Sequence, residues 1–447
     1  MNDAQSTNPR LPSDLGLPAL GLVMQGVAGV FTGFGAFFFV FLLIAPTQFD
    51  GGARLMAIGV LVAGLVRGIA HLMAGREVAR RSPQLQRAVR NYAITAGVTT
   101  ALTIVLALVG TQLPLPPTLL VPFALASLAW PIALVLLVFR RRVTEAFAAA
   151  ETFEVDLAPS DRSIEGAGVL MTLFGAFGLG LSLMGAYAAL RMGTPPGLYG
   201  VLLVAVMAAL VARSVIHVVA GVQASRGLRP TTFQARTTLY VTMAVISFAL
   251  LAAFLLLISG GQGILLLMLL LPTLAFVLLA WPMAIRGFAQ QAVMSDIGEG
   301  DGTVAFGVAP DRGLTAFGYW LVFYGSWSLA TSVAQLIFVG SVGADALAAL
   351  GGIAGHEVWM APIEAGLALW AGLELVEMTP RYRVAAMVYG AAALVFLALR
   401  WPFFPDTEDV GIDFPLAMNL LFTAIALAMP IMAFVLISRR LPPAEAT

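Results

Sequence analysis

The chain has 447 residues, of which 60% are hydrophobic and only 11% are charged. Soluble globular proteins carry about 25% charged residues, so this composition excludes a water-soluble fold and indicates an integral membrane protein. The 24 basic residues are all arginine and balance 24 acidic residues, which excludes a polybasic nucleic-acid-binding surface. The absence of cysteine excludes disulfides and thiolate metal sites.

Twelve apolar segments are long enough to cross a bilayer, which takes about 20 residues in a helix. They are far longer than the strands of about 10 residues in a membrane barrel, so we predict an all-α transmembrane bundle. The first sixteen residues are polar, and the apolar run after them is a span rather than a signal peptide. The approximate spans are 17–45, 55–76, 89–110, 117–139, 165–190, 197–222, 236–258, 263–285, 313–338, 359–378, 383–401 and 414–437.

A related sequence motif near the end of every fourth span indicates an internal repeat. It reads Leu128-Ala129-Trp130-Pro131, Leu279-Ala280-Trp281-Pro282 and Leu427-Ala428-Met429-Pro430, so the prolines lie 151 and 148 positions apart. The start of each unit repeats as Pro12-Ser13-Asp14, Pro159-Ser160-Asp161 and Pro310-Asp311, and the third helices share Tyr92, Tyr240 and Tyr389. The first helices of two copies also share the text Phe-Gly-Ala-Phe, at 34–37 and 174–177. The sequence therefore predicts three copies of a four-helix unit.

An even number of spans per copy makes the three copies parallel. Packed as a ring, they would be related by a pseudo-threefold axis normal to the membrane, unlike the inverted repeats of many transporters. The predicted organisation is a cytoplasmic tail, repeat 1, a linker, repeat 2, a linker, a divergent repeat 3 and a second tail. Their bounds are 1–16, 17–142, 143–162, 163–286, 287–312, 313–440 and 441–447.

Arginine placement orients the bundle. On the predicted topology, 19 of the 24 arginines lie in the tails, linkers and loops of one side, and three lie on the other side. The positive-inside rule then places both termini in the cytoplasm of a bacterial cell, with the bundle in its inner membrane. The remaining two arginines, Arg67 and Arg213, fall inside predicted spans.

These two arginines belong to a repeated motif in the second helix of copies one and two. Arg67, His71 and Gly75 recur as Arg213, His217 and Gly221, and the spacing of four places all three residues on one helix face. A charge at that depth costs at least about 2.5 kcal/mol on insertion scales, so we expect it to face the bundle interior and to have a partner.

The third copy departs from this motif. In the alignment at constant spacing, Ala371 and Leu375 take the positions of the arginine and histidine, and the same helix carries Glu364, Glu374 and Glu377. If the three second helices meet on the threefold axis, the arginines would pair with Glu374 or Glu377. Such a network would either fix how the copies dock or form a path for an ion or for protons relayed through the histidines.

These residues predict a transporter or channel for a small solute or ion. The alternative is a non-enzymatic scaffold or partner subunit of other membrane proteins, whose buried charges are structural. A third interpretation is a haem b or quinone-linked electron-transfer subunit, with His71 and His217 as axial ligands. An enzyme is less expected, since no nucleotide, metallohydrolase or nucleophile-elbow motif occurs. Apart from that haem, we expect no cofactor or metal, and the lipid bilayer but no nucleic acid as partner.

Overall fold

The computed structural model is all helical in the residues it describes. These residues are 16–44, 51–80, 82, 84–109, 117–140, 143–144, 161–191, 197–259, 275, 278–290, 292–293, 313–342, 351–400 and 416–438. The predicted linkers and the Pro-Ser-Asp text of the unit starts, except for Asp161, lie outside or almost wholly outside them.

The helices begin and end within eight residues of the predicted spans, except that the span 117–139 is divided into two helices and most of the span 263–285 lies outside the described residues. In chain order they are α1 Leu17–Ile44, α2 Gly51–Ala79, α3 Leu85–Val109, α4 Pro117–Ala126, α5 Ala129–Val138, α6 Asp161–Arg191, α7 Leu198–Ala224, α8 Pro230–Ser259, α9 Leu314–Val342, α10 Gly351–Glu377, α11 Tyr382–Arg400 and α12 Leu416–Ser438. Residues 278–290 form a further helical segment.

Eight helices in the described part of the chain are long and apolar enough to cross a membrane, so the chain is a polytopic membrane protein. Their membrane-capable stretches are Ile58–Ala79, Leu85–Leu106, Val121–Val138, Ile164–Tyr187, Leu198–Ala224, Pro230–Leu257, Trp359–Glu377 and Tyr382–Leu399. Large apolar side chains such as Met73, Val201 and Trp359 are 64%, 67% and 68% exposed, as expected for side chains that face lipid rather than water.

The centre of the bundle is formed by α1, α6 and α9, which contact one another. Each of them also packs against a helix from another third of the chain. Helix α9 contacts α4 and α5, α6 contacts α12, and α1 lies against the segment 278–290 at Gly26 and Gly29. The second helices do not meet on a common axis as the sequence predicted. Instead, α2 packs against α1, α7 against α6 and α10 against α9.

Glycines set the three crossings between these helix pairs. A Cβ atom added to Gly221 would lie 2.5 Å from the backbone nitrogen of Thr172, and one on Gly372 would lie 2.7 Å from that of Val322. A Cβ on Gly75 would lie 2.8 Å from the Cβ of Met24, with the nitrogen of Gln25 at 3.1 Å. Only glycine allows helices to approach so closely, and the crossings give a structural register for comparing α2, α7 and α10.

Candidate functional site

His71 lies in a buried cluster with Tyr92 and Trp130. The indole Nε1 of Trp130 donates a hydrogen bond of 3.1 Å to His71 Nε2, and the ring of Tyr92 stacks on the imidazole with centroids 4.4 Å apart. The histidine is buried, with 5% of its surface exposed. Helices α2, α3 and α5 each contribute one of these three side chains.

His217 has the same surroundings. Trp281 Nε1 donates to His217 Nε2 at 3.0 Å, and Tyr240 stacks on the ring at 4.2 Å. An indole N–H can only donate, so each Nε2 is an acceptor and the proton of the neutral imidazole lies on Nδ1. An iron ligand at Nε2 would need the same lone pair, and the two histidines belong to separate clusters.

The arginines bind backbone carbonyls that prolines leave without a donor. Arg67 donates to the hydroxyl of Ser127 at 2.7 Å and to the carbonyl oxygen of the same residue. Proline has no N–H, so Pro131 cannot donate to the carbonyl four residues before it, which is that of Ser127. The repeated Trp-Pro motif and the repeated Arg-x3-His motif therefore belong to one cluster.

Arg213 makes the corresponding contact. Its Nη2 donates a hydrogen bond of 2.7 Å to the carbonyl of Leu278, which lies four residues before Pro282. The guanidinium also lies 5.8 Å from the ring centroid of Tyr240, within the range of a cation–π interaction. The described hydrogen-bond partners of both arginines are uncharged oxygens.

The glycine crossings correct the alignment of the third unit. Counting back eight residues from Gly75 and Gly221 gives Arg67 and Arg213, and the same count from Gly372 gives Glu364. Counting back four residues from Gly372 gives Ala368. Glu364 and Ala368 therefore hold the arginine and histidine positions, which the sequence alignment had given to Ala371 and Leu375. The alignment at constant spacing was therefore seven residues out of register, which is nearly two helical turns and keeps nearly the same helix face.

Glu364 is buried in the third unit, with 7% of its surface exposed. Its Oε1 accepts a hydrogen bond of 3.4 Å from the hydroxyl of Tyr324, and it lies close enough to Tyr389 for an electrostatic interaction. The hydroxyl of Tyr389 faces the sulfur of Met429, which replaces the tryptophan of the other two units. The third unit therefore keeps the tyrosine and the proline but replaces the arginine, histidine and tryptophan.

The structure does not bring Glu374 to the arginines. Its carboxylate accepts hydrogen bonds from Trp370 Nε1, at 3.2 Å, and from the hydroxyl of Thr379. Glu377 is the last residue of the same helix and its side chain is exposed. Of the three predicted acids, Glu364 is the one at the level of the arginines.

A row of aromatic rings joins the two histidine clusters through the centre of the bundle. From Trp281 the row runs to Phe174, Trp320, Phe323 and Trp130, with successive centroids 4.5, 5.0, 5.6 and 5.1 Å apart. Each aromatic pair of this kind contributes about 0.5–1.5 kcal/mol beyond its buried area. The row uses side chains from all three thirds of the chain.

A cavity of about 290 Å³ opens beside the first cluster. Arg67, His71, Tyr92, Ser127 and Trp130 line it, together with Phe323 and Trp327 from α9 and the apolar residues Val27, Ala28, Val60 and Leu61. Thr32 also lines it, and the buried hydroxyl of this residue has no hydrogen-bond partner among the described residues. The cavity therefore combines aromatic walls with a cation.

Within the described residues, no three histidine or acidic side chains are grouped so that they could hold a metal ion. The side chain of His356, the third histidine of the chain, falls outside the described residues. No family model matches the chain, and neither a curated protein nor a solved structure matches it.

Proposed function

We propose that this polytopic membrane protein is a transporter or channel of the bacterial inner membrane, and that it binds a small solute in the cavity beside Arg67. The observation that carries the proposal is the cavity itself, a space of about 290 Å³ that Arg67 and Thr32 both line. Ligand sites are typically apolar clefts of about this size with a few placed polar groups.

The charge of Arg67 selects the class of solute. Its described hydrogen-bond partners are Ser127 and Tyr92, so a positive charge lies beside the cavity without a carboxylate among those partners. A guanidinium has five N–H donors, and an anion or a carbonyl-bearing solute supplies the acceptors that it binds best.

We further propose twelve transmembrane helices arranged as three parallel four-helix repeats around a pseudo-threefold axis, with both termini in the cytoplasm. The three glycine crossings and the mutual contacts of α1, α6 and α9 support this arrangement. The cyclic packing of each central helix against a helix of another unit supports it as well. The proposed orientation rests on the distribution of arginines.

Cysteine accessibility tests the solute site directly, because the natural chain contains no cysteine. We expect Thr32→Cys and Val60→Cys, which change two lining positions, to react with a water-soluble methanethiosulfonate in membrane vesicles. The fully buried position Ser247 on α8 provides the control variant Ser247→Cys. An anionic reagent should react faster than a cationic one at Thr32→Cys, and Arg67→Gln should remove this preference.

Equal, very slow labelling of Thr32→Cys, Val60→Cys and Ser247→Cys would refute a solute path through this cavity. The second candidate function, a scaffold or partner subunit with structural buried charges, would then be favoured. One observation already supports it: the arginines and histidines of both clusters bond to groups of the protein itself. The haem alternative would require each indole to release its histidine, and a Soret band in purified protein would support it.

A further inference from the structure

A groove of about 550 Å³ lies between α2 and the segment 278–290, apart from the cavity described above. Its walls are largely apolar and include Leu72, Met73, Leu279 and Met283. At one end it is bordered by Arg76 and Arg80, where the membrane-capable stretch of α2 ends at Ala79. The groove therefore runs from the apolar part of a membrane helix to its basic end.

The groove opens to the outer surface of the bundle. Met73 and Met283 on its two walls are 64% and 54% exposed, and the side chains of Arg76 and Arg80 are exposed. In a membrane this surface contacts acyl chains along its length and headgroups at its basic end. A lipid molecule can thus enter it sideways without any opening of the helices.

We propose that this groove binds an anionic phospholipid, with the phosphate on Arg76 and Arg80 and an acyl chain along Leu72, Met73 and Met283. Arginine presents a planar fork of donors that matches phosphate oxygens. Basic pockets between transmembrane helices at a membrane surface bind anionic headgroups in this way. The proposal is independent of the solute proposed for the cavity beside Arg67.

The other two units do not repeat this pair of arginines. In the register of the glycine crossings, Arg76 corresponds to Val222 and Leu373, and Arg80 corresponds to Arg226 and Glu377. Two adjacent cations at the basic end are thus a property of the first unit, which indicates one lipid site rather than three. Glu77, which is next to Arg76 in the sequence, does not line the groove. It lines a neighbouring cavity of about 530 Å³ together with Arg76 and Arg87.

Native mass spectrometry of the purified full-length protein tests the proposal. The probes are dioleoyl-phosphatidylglycerol and dioleoyl-phosphatidylcholine, which have the same acyl chains and differ in headgroup charge. We expect the wild-type protein to bind the anionic lipid more tightly. Arg76→Gln with Arg80→Gln should weaken that binding by about 5-fold for each arginine removed. It should weaken binding of the zwitterionic lipid less, because the choline cation offsets the charge of the phosphate.

The matched control is Arg226→Gln with Arg229→Gln, which removes two exposed cations from the loop after α7. It should leave the lipid preference as in the wild type. A second variant, Gly287→Leu, fills the groove at a glycine that has no neighbouring atom within 4 Å of an added Cβ. It keeps both arginines and should weaken binding of both lipids.

Equal binding of the two lipids to the wild-type protein would overturn the proposal. So would an equal loss in the two arginine double variants, because that result would reflect total charge rather than this groove. Unchanged lipid binding by Gly287→Leu would show that the lipid binds elsewhere.

Discussion

Arg213 donates its hydrogen bond to the carbonyl oxygen of Leu278, the carbonyl that Pro282 leaves without a helical donor. The same relationship joins Arg67 to the carbonyl of Ser127. An unpaired carbonyl in a membrane interior is costly, so the arginine of the second helix compensates for a proline of the fourth. In the first unit the helix is interrupted at this point, between Ala126 and Ala129.

A double-mutant cycle tests this compensation. We expect Arg213→Ala to lower the free energy of unfolding by about 1–3 kcal/mol, because the Leu278 carbonyl loses its donor. In a Pro282→Ala background the loss should be smaller, since the alanine N–H can donate to that carbonyl. Unfolding in mixed micelles with increasing sodium dodecyl sulfate measures all four proteins. Additive effects of the two substitutions would contradict the coupling.

The indole donors should stabilise the two histidine clusters to a similar extent. Trp130→Phe and Trp281→Phe keep an aromatic ring but remove the N–H that binds His71 or His217. Each should lower the free energy of unfolding by about 1 kcal/mol, as for a buried neutral hydrogen bond. The control is Trp370→Phe, whose N–H binds Glu374 at an exposed position. A loss in the control as large as in the buried variants would contradict the prediction.

The glycine crossing in the third unit gives a matched pair of substitutions on one helix. Gly372→Ala places a methyl group against the backbone of α9 and should destabilise the protein by about 1–3 kcal/mol. Gly366→Ala meets no atom within 4 Å of the added Cβ, so it should be neutral or stabilise α10 by up to about 1 kcal/mol. The midpoint of thermal unfolding, followed by tryptophan fluorescence, separates the two. Similar midpoints would argue against the close approach.

The corrected register of the third unit predicts where an arginine is tolerated. Glu364→Arg places a guanidinium at the position of Arg67 and Arg213, from which it can reach the carbonyl four residues before Pro430. Ala371→Arg places it at a fully buried position in a core of apolar side chains. We expect the first variant to be purified as a monodisperse protein and the second to aggregate. Size-exclusion chromatography of fluorescent fusions measures this, and comparable profiles would contradict the register.

Much of the architecture follows from local sequence properties. Long apolar runs predict membrane helices because the bilayer sets their length, and the eight membrane-capable helices agree with predicted spans. The internal repeat also marks the residues of both clusters, since Arg67, His71, Tyr92, Trp130 and Pro131 all recur at nearly constant spacing. What the sequence could not supply was which of them touch.

The hydrogen-bond acceptors of Arg67 and Arg213 could not be predicted from the sequence, because they depend on packing between helices. Opposite charges predicted ion pairs of Arg67 or Arg213 with Glu374 or Glu377, whereas the acceptors found are mainly carbonyl oxygens, which no side chain in the sequence marks. A proline four residues after each acceptor is the signal that could have located them.

The alignment of α10 with α2 and α7 could not be predicted from the sequence, because α10 contains several glycines and has no arginine or histidine at the corresponding positions. A shift of seven residues is nearly two helical turns and preserves the face, so hydrophobic pattern alone does not reveal it. A similar shift separates the Phe-Gly-Ala-Phe matches, 140 positions apart, from the crossing residues Gln25 and Thr172, which lie 147 apart.

The cyclic packing also sets an order of assembly during synthesis. Helix α1 packs on the segment 278–290, α9 packs on α4 and α5, and α6 packs on α12, which follows the other described helices in the chain. Because synthesis proceeds from the N-terminus, part of the α6 surface stays uncovered until α12 has been made. A chain truncated before α12 would leave this part of α6 uncovered.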